Sequence, residues 1–402
     1  MKIAYRLIPI LLIAMIGCEN DYPDSIYDPL APVGDTPVIS SMQPPDSSLA
    51  GVGELTIVGD NFSTNPDKNI VFFNTEAAEI IQVSETQLVV KTPNIIADSI
   101  AIRIGVAGAE LFSNTFYYRL KPAAVDFGKI PAEDIGFGAA VDLNGNVYVS
   151  FQSKQILKIT PSGETSVFAN TTFLKANNMK MGPNNTIYAA VASGRIRKIS
   201  TFDAAGNEGT FVSLPRNPYD LDFDDSGNIW VSVDKDIYLV KPDKTSASVA
   251  SFDATLNTVR VFDGYLYFSG SDDAAQESKI WRAEIQGESL GDPEVVLDVT
   301  AATWLDGADV LCFTFASNGD MYLGTTSSPN GIFVYNPVDD SHDVLYPGLI
   351  GPEIYSMSWN ETIFLYAVRQ FVSTDLDGND FNTSTLLRIE LPYDGAPYYG
   401  RQ

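Results

Sequence analysis

Three stretches of the sequence repeat one plan: DLNGNVYVS (142–150), GPNNTIYAAV (182–191) and DDSGNIWVS (224–232). In each, Asn, Asp and Gly residues that favour a tight turn run directly into alternating apolar residues, which is the pattern of a β-hairpin. The stretches FDGYLYFSG (262–270), SNGDMYLGT (317–325) and WNETIFLYA (359–367) follow the same plan. The repeat therefore predicts a fold assembled from six similar antiparallel units.

The spacing of one aromatic position indicates what kind of unit repeats. Aligning the six copies superimposes Tyr148, Tyr188, Trp230, Tyr267, Tyr322 and Phe364. A period near 40 residues, with a further strand such as QILKITP or DIYLVKP after each hairpin, is typical of propeller blades. The last copy lacks a clear outer strand, and AAVDFGKI (123–130) is expected to supply it. We therefore predict an all-β, six-bladed β-propeller over residues 121–402.

The turn-and-strand pattern resembles NHL repeats. DDSGNIWVS together with the preceding RNPYDLDF (216–223) is also similar to part of a gluconolactonase-type propeller. Propellers of this group include lactonases, binding proteins and scaffolds, so the resemblance implies an architecture and does not assign a function.

Residues 36–120 carry a different pattern, in which short β-branched and aromatic runs alternate with Pro, Gly, Asn and Asp. This is the signature of a β-sandwich. The order and spacing of PVISSMQPP, ELTIVGDNF, NIVFFN, ETQLVVKTP and FYYRL resemble the IPT/TIG family of immunoglobulin-like domains. The resemblance implies a spacer or adhesion module, with Leu55, Ile57 and Phe62 pointing inward.

The chain begins with a short apolar leader that ends at a cysteine. Lys2 and Arg6 precede an apolar run that is too short to span a hydrocarbon core, as expected of a signal peptide over residues 1–17. Met15-Ile16-Gly17-Cys18 resembles a bacterial lipobox, which implies lipidation of Cys18; an ordinary signal peptide is the alternative. Residues 18–35 are predicted to form a tether. Its acidic start resembles surface-export signals of Bacteroidetes lipoproteins, which implies an outer-membrane, lipid-anchored protein that faces the exterior.

Charge and cysteine content exclude some classes of partner and structure. The 402 residues carry a net charge of −26, and loss of residues 1–17 would make it −28 because Lys2 and Arg6 leave with the leader. Such a surface repels phosphate backbones, so nucleic acid is not an expected partner. If Cys18 is lipidated, Cys312 has no partner for a disulfide, and its apolar setting VLCFTF predicts a buried thiol.

Few residues suggest catalysis. The single histidine, His342, lies in the polar stretch NPVDDSHDVLYP and is expected in a solvated loop. The resemblance to lactonases implies a metal held by Glu, Asn and Asp at the starts of inner strands. GFGAAVDLNG lacks that glutamate, and Tyr219 stands where such enzymes keep Asn, which leaves Asp220 and Asp306 as the residues of a lactonase alternative. We expect no enzymatic activity.

One loop has the composition of a cation site. STDLDGNDFN (373–382) spaces Asp375, Asp377, Asn379 and Asp380 so that their oxygens could converge on Ca²⁺. The loop resembles an EF-hand only in part, because Gly378 comes early and no glutamate follows at position 12. A solvent-facing hairpin tip is the alternative.

Aromatic side chains in the connections favour recognition. A propeller gathers on one face the loops that lead into its inner strands and those that join the second and third strands. We expect a ligand-binding set on that face, comprising Tyr219, Asp220, Trp304, Asp306, Tyr355, Arg369 and Phe371. Trp304 is expected to be exposed. Sugar rings pack on aromatic faces while carboxylates and amides bind their hydroxyls, so this set suits a glycan.

The order of tether, IPT/TIG-like domain and propeller resembles accessory glycan-binding lipoproteins of SusC/SusD-type uptake systems. The resemblance implies non-catalytic capture of an oligosaccharide for a transporter. Two alternatives stay open: a scaffold that docks on an outer-membrane transporter, and a metal-dependent lactonase.

Overall fold

The computed structural model describes residues 33–272, 274–374 and 378–401. Contacts divide the chain into two compact units. Among the described residues, the first unit contains those up to Asp46 together with Leu55–Lys91 and Ser99–Tyr118. The second contains Ser47–Glu54, Thr92–Asp98 and the residues from Arg119 onward. Within the ranges just given, no helix is long and apolar enough to cross a membrane.

The first part of the chain is an immunoglobulin-like β-sandwich of two sheets, in the orders β1-β3-β7-β6 and β2-β9-β8-β4-β5. Its strands are β1 (Val38–Gln43), β2 (Ser47–Leu49), β3 (Glu54–Asp60), β4 (Asn69–Phe73), β5 (Glu76–Ala77), β6 (Glu79–Val83), β7 (Gln87–Lys91), β8 (Ala97–Val106) and β9 (Phe116–Lys121). The second strand pairs in parallel with the ninth.

Alternation along β3 explains how the sandwich buries its core. Leu55 and Ile57 are fully buried and Phe62 is nearly so, as the sequence predicted. Gly59 lies so close to β1 that a Cβ there would collide with the carbonyl oxygen of Val38. Asn61 then takes a left-handed backbone conformation with φ of 62° and ends the strand.

The remainder of the chain folds into six four-stranded blades, which confirms the predicted propeller. The first three blades consist of β11 (Gly136–Val141), β12 (Val147–Phe151), β13 (Gln155–Ile159) and β14 (Thr165–Asn170); β15 (Asn178–Gly182), β16 (Thr186–Ser193), β17 (Ile196–Phe202) and β18 (Glu208–Ser213); and β19 (Pro218–Phe223), β20 (Ile229–Val233), β21 (Asp236–Val240) and β22 (Ser246–Ser251).

The last three blades consist of β23 (Thr255–Phe262), β24 (Tyr265–Asp272), β25 (Glu277–Gln286) and β27 (Glu294–Asp298), with β26 (Ser289–Leu290) beside β25; β28 (Val310–Phe315), β29 (Met321–Thr325), β30 (Ile332–Asn336) and β31 (Ser341–Val344); and β32 (Ile354–Trp359), β33 (Phe364–Thr374), β34 (Asp380–Glu390) and β10 (Ala124–Asp126). Short 3₁₀ helices lie at Pro66–Lys68, Pro183–Asn185, Thr303–Leu305 and Tyr399–Arg401.

The ring is closed by β10, which comes from before the first blade and completes the last one. Residues 124–126 pair antiparallel with residues 387–389 of β34, as predicted from AAVDFGKI. The N–H of Phe127 extends the pairing by donating to the carbonyl of Leu386 at 2.7 Å. Because β10 pairs with β34, the third strand of the last blade has a hydrogen-bonded neighbour on its outer side.

The repeated turns explain why the six copies resemble one another. In DDSGNIWVS, one oxygen of Asp224 accepts from the backbone N–H groups of Ser226 and Asn228, and the other accepts from the side chains of Asn228 and Trp230. Asp142 does the same with Asn146 and Tyr148 in DLNGNVYVS. The turn aspartate therefore both closes the hairpin and anchors the aromatic ring that packs between blades.

Replacing Asp224 by alanine is expected to lower the free energy of unfolding of the propeller by about 1–3 kcal/mol, because buried donors of Asn228 and Trp230 lose their acceptor. Urea unfolding monitored by tryptophan fluorescence measures the change. Asp225→Asn is the matched control, since Asp225 is an exposed neighbour in the same turn. Equal loss in the two variants would show that the buried network contributes little.

Candidate functional site

The six inner strands surround a channel whose two ends differ. All six are the first strands of their blades and neighbour one another around a ring. We call the end at which they begin the mouth and the end at which they finish the base. The inner strands that carry the site are therefore held in register by the blades behind them.

Five of the six inner strands have a β-bulge close to the mouth. The pairing register shifts between Gly136 and Ala139, Pro218 and Asp220, Leu256 and Val259, Val310 and Cys312, and Ile354 and Ser356. The unpaired residues within these shifts include Phe137, Tyr219, Asn257, Leu311 and Tyr355. A bulge re-aims a side chain out of the normal alternation of a strand. The same distortion recurs around the ring and places all five residues at the mouth.

Four of these bulged residues line a cavity of about 240 Å³ at the centre of the mouth. The remaining lining residues come from the starts of the same strands and from β15: Asn177, Asn178, Asp220, Thr258 and Cys312. Amide and hydroxyl groups thus face two tyrosine rings across one opening. The side chains that line the cavity can therefore donate and accept hydrogen bonds, and the two rings can pack against a flat apolar surface of a ligand.

A second cavity of about 440 Å³ lies beside the first. Phe137, Pro352, Phe371 and Val372 provide most of its apolar lining, and Gln370 and Glu353 add polar groups. Phe137 meets Tyr355 edge to face, with ring centroids 5.2 Å apart. This pair of rings forms a wall shared by the two cavities, which we call the aromatic wall. A ligand longer than one ring could contact both cavities across it.

Phe137 is buried, and Tyr355, Tyr219 and Lys175 are partly buried. Burial raises the pKa of Tyr355 to about 12, so its phenol stays protonated at neutral pH and can donate a hydrogen bond. Burial also raises the pKa of Tyr219, with Asp234 acting in the same direction. Lys175 lies with its Nζ 3.7 Å from the centroid of Phe137, and burial lowers its pKa.

An ion pair forms the floor of the mouth. Asp220 and Arg260 are both almost fully buried, and the guanidinium Nη1 donates to Oδ2 of Asp220. The backbone N–H groups of Leu221 and Val259 donate to the same carboxylate. Burial raises the pKa of Asp220, against the pull of Arg260 and Lys180. Burial alone would lower the pKa of Arg260, but the nearby carboxylates raise it.

The base of the channel is closed by the C-terminal segment. Ala396 donates its N–H to the carbonyl of Phe315, and the hydroxyl of Tyr398 donates to that of Met181 at 2.7 Å. Between this segment and the ion pair lies a cavity of about 40 Å³ lined by Asp222, Lys180 and Arg260. Oδ1 of Asp222 and two guanidinium nitrogens of Arg260 lack hydrogen-bond partners here. The cavity has room for water molecules that would satisfy them.

The floor differs from the Glu, Asn and Asp metal set that the resemblance to lactonases implied, because Asp220 pairs there with an arginine. Both oxygens of Asp220 already accept hydrogen bonds, one from the backbone N–H of Leu221 and the other from the guanidinium of Arg260. Across the described ranges, no three His, Cys, Asp or Glu side chains are grouped so that they could hold an ion. Cys312, which lines the first cavity, is buried, and this burial raises its pKa to about 12 and keeps the thiol protonated.

The structure corrects the expectations for Trp304, Asp306 and His342. Trp304 is half-buried in a 3₁₀ turn, and its ring stacks on His342 with centroids 4.5 Å apart. It packs with the cluster between the fourth and fifth blades and lies outside both mouth cavities. Asp306 caps that turn, exposed, and does not line either cavity. His342 belongs to strand β31 and is not in a loop.

The other predicted residues divide between the mouth and the long hairpin of the sixth blade. Tyr219, Asp220 and Tyr355 line the first cavity, and Phe371 lines the second. Arg369 donates to the carbonyl of Pro352 at 2.7 Å and lies over the ring of Phe371. For the calcium loop, Asn379 and Asp380 are exposed at the hairpin tip, whereas Asp375 and Asp377 lie outside the described residues, as does Cys18.

Several mouth residues escaped the sequence analysis. Five residues at or beside the mouth were not singled out from the sequence, and these are Phe137, Lys175, Asn257, Thr258 and Arg260. The available signal was a break in alternation at the start of each inner strand, as in GFGAAV, where two glycines flank Phe137. Such breaks mark bulges, and bulges cluster near sites.

Comparison with known proteins supports the architecture. Residues 37–119 match the IPT/TIG domain family. A structural genomics protein of unknown function from Bacteroides thetaiotaomicron VPI-5482 has a TM-score of 0.52 at 12% identity, over 91% of this chain and 100% of that one. An auxiliary nutrient binding protein from the same organism has a TM-score of 0.53 at 10% identity, over 90% and 98%. The sequence has no match among curated proteins.

A luciferin-regenerating enzyme has a TM-score of 0.53 at 14% identity over 69% of this chain and 98% of that one. At these identities the similarities establish the fold, which is shared by a nutrient-binding protein and an enzyme. The function must therefore be argued from the residues at the mouth.

Replacing Arg260 by methionine should destabilise the propeller by about 3–5 kcal/mol at neutral pH, because Asp220 is left as an uncompensated buried charge. Without the guanidinium, the folded-state pKa of Asp220 lies further above its unfolded value. The folded state then binds more protons than the unfolded state, so the destabilisation should grow as pH rises. Chemical unfolding of the variant from pH 5 to pH 8 measures this.

The double variant Asp220→Asn with Arg260→Met should recover part of the lost stability and lose the pH dependence. Arg282→Met is the matched control, because Arg282 pairs with Glu294 at the surface, where such pairs contribute little. A loss in Arg260→Met no larger than in this control would contradict the account of the floor.

Proposed function

We propose that this protein captures a nutrient without chemical conversion, and that the nutrient is an oligosaccharide bound at the mouth of the propeller channel. The observation that carries the proposal is the ring of bulges that brings Tyr219, Asn257 and Tyr355 to one cavity. Inner strands distorted in the same place on five blades indicate a surface built for recognition.

The chemistry of the mouth suits a sugar. A pyranose ring has an apolar C–H face that packs on aromatic rings and a rim of hydroxyls that need hydrogen-bond partners. The rings of Tyr219 and Tyr355 provide the first, and Asn177, Asn257 and Thr258 provide amide and hydroxyl groups for the second. The adjoining second cavity favours a ligand of more than one sugar unit.

The floor argues for capture over catalysis. A lactonase of this fold class would need Asp220 as a free carboxylate, yet that side chain is held by Arg260 and by two backbone N–H groups. The other aspartate of the lactonase alternative, Asp306, lines neither mouth cavity. The similarity to a structure named as an auxiliary nutrient binding protein, which extends over both parts of the chain, agrees with a binding role.

We further propose that the protein is displayed on the outer membrane by a lipid on Cys18 and works beside a SusC/SusD-type transporter. The lipobox-like MIGC and the acidic residues that follow it support this placement. Confinement to the membrane would raise the local concentration of captured ligand near a transporter. Docking on a transporter without sugar binding is the alternative function.

Affinity electrophoresis of residues 21–402 on a panel of polysaccharides tests capture. We expect retardation on at least one polysaccharide, and we expect Tyr355→Ala and Tyr219→Ala to weaken that binding about tenfold each because they remove stacking surface. Trp304→Ala should bind normally, since Trp304 packs between blades.

Tyr117→Ala is the matched control, an exposed tyrosine of the sandwich. Retardation lost in Trp304→Ala and kept in Tyr355→Ala would move the site away from the mouth. If no polysaccharide retards the protein and it co-purifies with a transporter, the docking alternative replaces capture.

Cys18→Ser should abolish incorporation of labelled palmitate and release the protein from the membrane fraction, because the lipobox cysteine supplies the acylated sulfur and amine. Fractionation and protease accessibility of intact cells measure anchoring and outward display. Palmitate labelling that persists in the variant would refute the lipobox assignment.

A further inference from the structure

Lys175 places a partly buried positive charge against the aromatic wall, and a neutral sugar would give this charge no counter-ion. It lies in the connection between β14 and β15, which leads into an inner strand. Its Nζ is 3.7 Å from the ring centroid of Phe137 and 5.6 Å from that of Tyr355. The ammonium group therefore lies over the aromatic wall, next to one ring that lines the first cavity and one that lines the second, although Lys175 itself lines neither.

Nine basic side chains in the described ranges pair with a carboxylate, but Lys175 is not one of them. Its pKa is lowered by burial alone, with no compensating carboxylate. The chain has 51 acidic residues against 25 basic ones, so an acidic partner would be easy to supply. A half-buried cation without a counter-charge is costly unless something else provides one.

We infer that the oligosaccharide bound at the mouth is negatively charged and that its anionic group pairs with Lys175, an inference that rests on the proposed function. A sugar packed against Tyr355 in the first cavity would bring its ring substituents near the ammonium group, which lies 5.6 Å from the centroid of that ring. The chemistry shared by candidate ligands is an anionic substituent on a pyranose, either the carboxylate of a uronic acid or a sulfate ester. Either would form a charge-assisted hydrogen bond with the lysine.

The other charges at the mouth define where the anion fits. Asp220 on the floor is already neutralised by Arg260. Glu353 lines the second cavity and would repel an anion placed deep within it. On the opposite side of the mouth, the negative charge of Asp234 lies close enough to Tyr219 to raise its pKa, so it would also disfavour an anion there. Arg369, over Phe371, adds a second cation near that cavity. The favourable position for the anion is therefore at the aromatic wall, with uncharged sugar units filling the cavities.

Matched charged and neutral polysaccharides test the inference. The soluble protein, residues 21–402, is run on polygalacturonate and its carboxyl-reduced galactan, and on dextran sulfate and dextran. We expect binding to a charged member that is at least tenfold tighter than to its neutral counterpart and that weakens as salt is raised. Lys175→Met should lose that preference, and Lys175→Arg should keep it.

Lys129→Met is the control, because Lys129 is an exposed lysine far from the mouth. Its backbone N–H donates to the hydroxyl of Thr165, the first residue of β14, which lies at the base end of the blade. Thermal unfolding checks that each variant folds, and Lys175→Arg keeps the test valid if the methionine variant does not. Preference for polygalacturonate identifies a carboxylate ligand, and preference for dextran sulfate identifies a sulfate ester.

Equal binding of a charged polysaccharide and its neutral counterpart, unchanged in Lys175→Met, would overturn the inference and leave capture of sugars intact. Absence of binding to these four polysaccharides and to the wider panel would overturn the proposed function, and the inference with it.

Discussion

Closure of the ring is the constraint on which the rest of the propeller depends. A single blade cannot bury both of its faces, so each blade is stable only between two neighbours. The pairing of residues 124–126 with β34 joins the two ends of the array, and Phe127 packs beside Tyr366 to secure the joint. Because the ring is closed, six inner strands begin around one opening, and side chains far apart in sequence converge there.

The two ends of the inner strands differ in structure: similar hydrogen-bonded turns lie at the base, and bulges lie at the mouth. Near the base, both carboxylate oxygens of the turn aspartates Asp142 and Asp224 accept hydrogen bonds from the hairpin and from its aromatic side chain. These shared bonds make the turns alike. Near the mouth, bulges interrupt the regular pairing and turn different residues toward the cavity from each strand. Repeated structure at one end thus supports variable chemistry at the other, an arrangement that suits a binding protein.

The basic side chains in the channel contrast with the acidic character of the chain as a whole. The chain as a whole is strongly acidic, yet its channel contains Arg260 and Lys180 facing Asp220 and Asp222. Each carboxylate of the floor therefore has a buried cation beside it. Lys175, at the aromatic wall, is the cation that the floor does not use. A positive position at the mouth of an acidic protein is a natural basis for selecting anionic ligands.

The sequence by itself determined the architecture, because turn chemistry and alternation are local properties: the repeat of Asp, Asn and Gly before each hairpin predicted six blades, and β-branched runs predicted the sandwich. It also predicted that Tyr219, Asp220, Tyr355 and Phe371 share one face, since loops that lead into inner strands lie there, and in the structure these residues line the two mouth cavities. Only the tertiary structure decided what these residues do. Whether Trp304 is exposed depends on His342, 38 positions away, and whether Asp220 is free depends on Arg260 from the next blade. Such pairings are set by how blades pack, which no local pattern encodes.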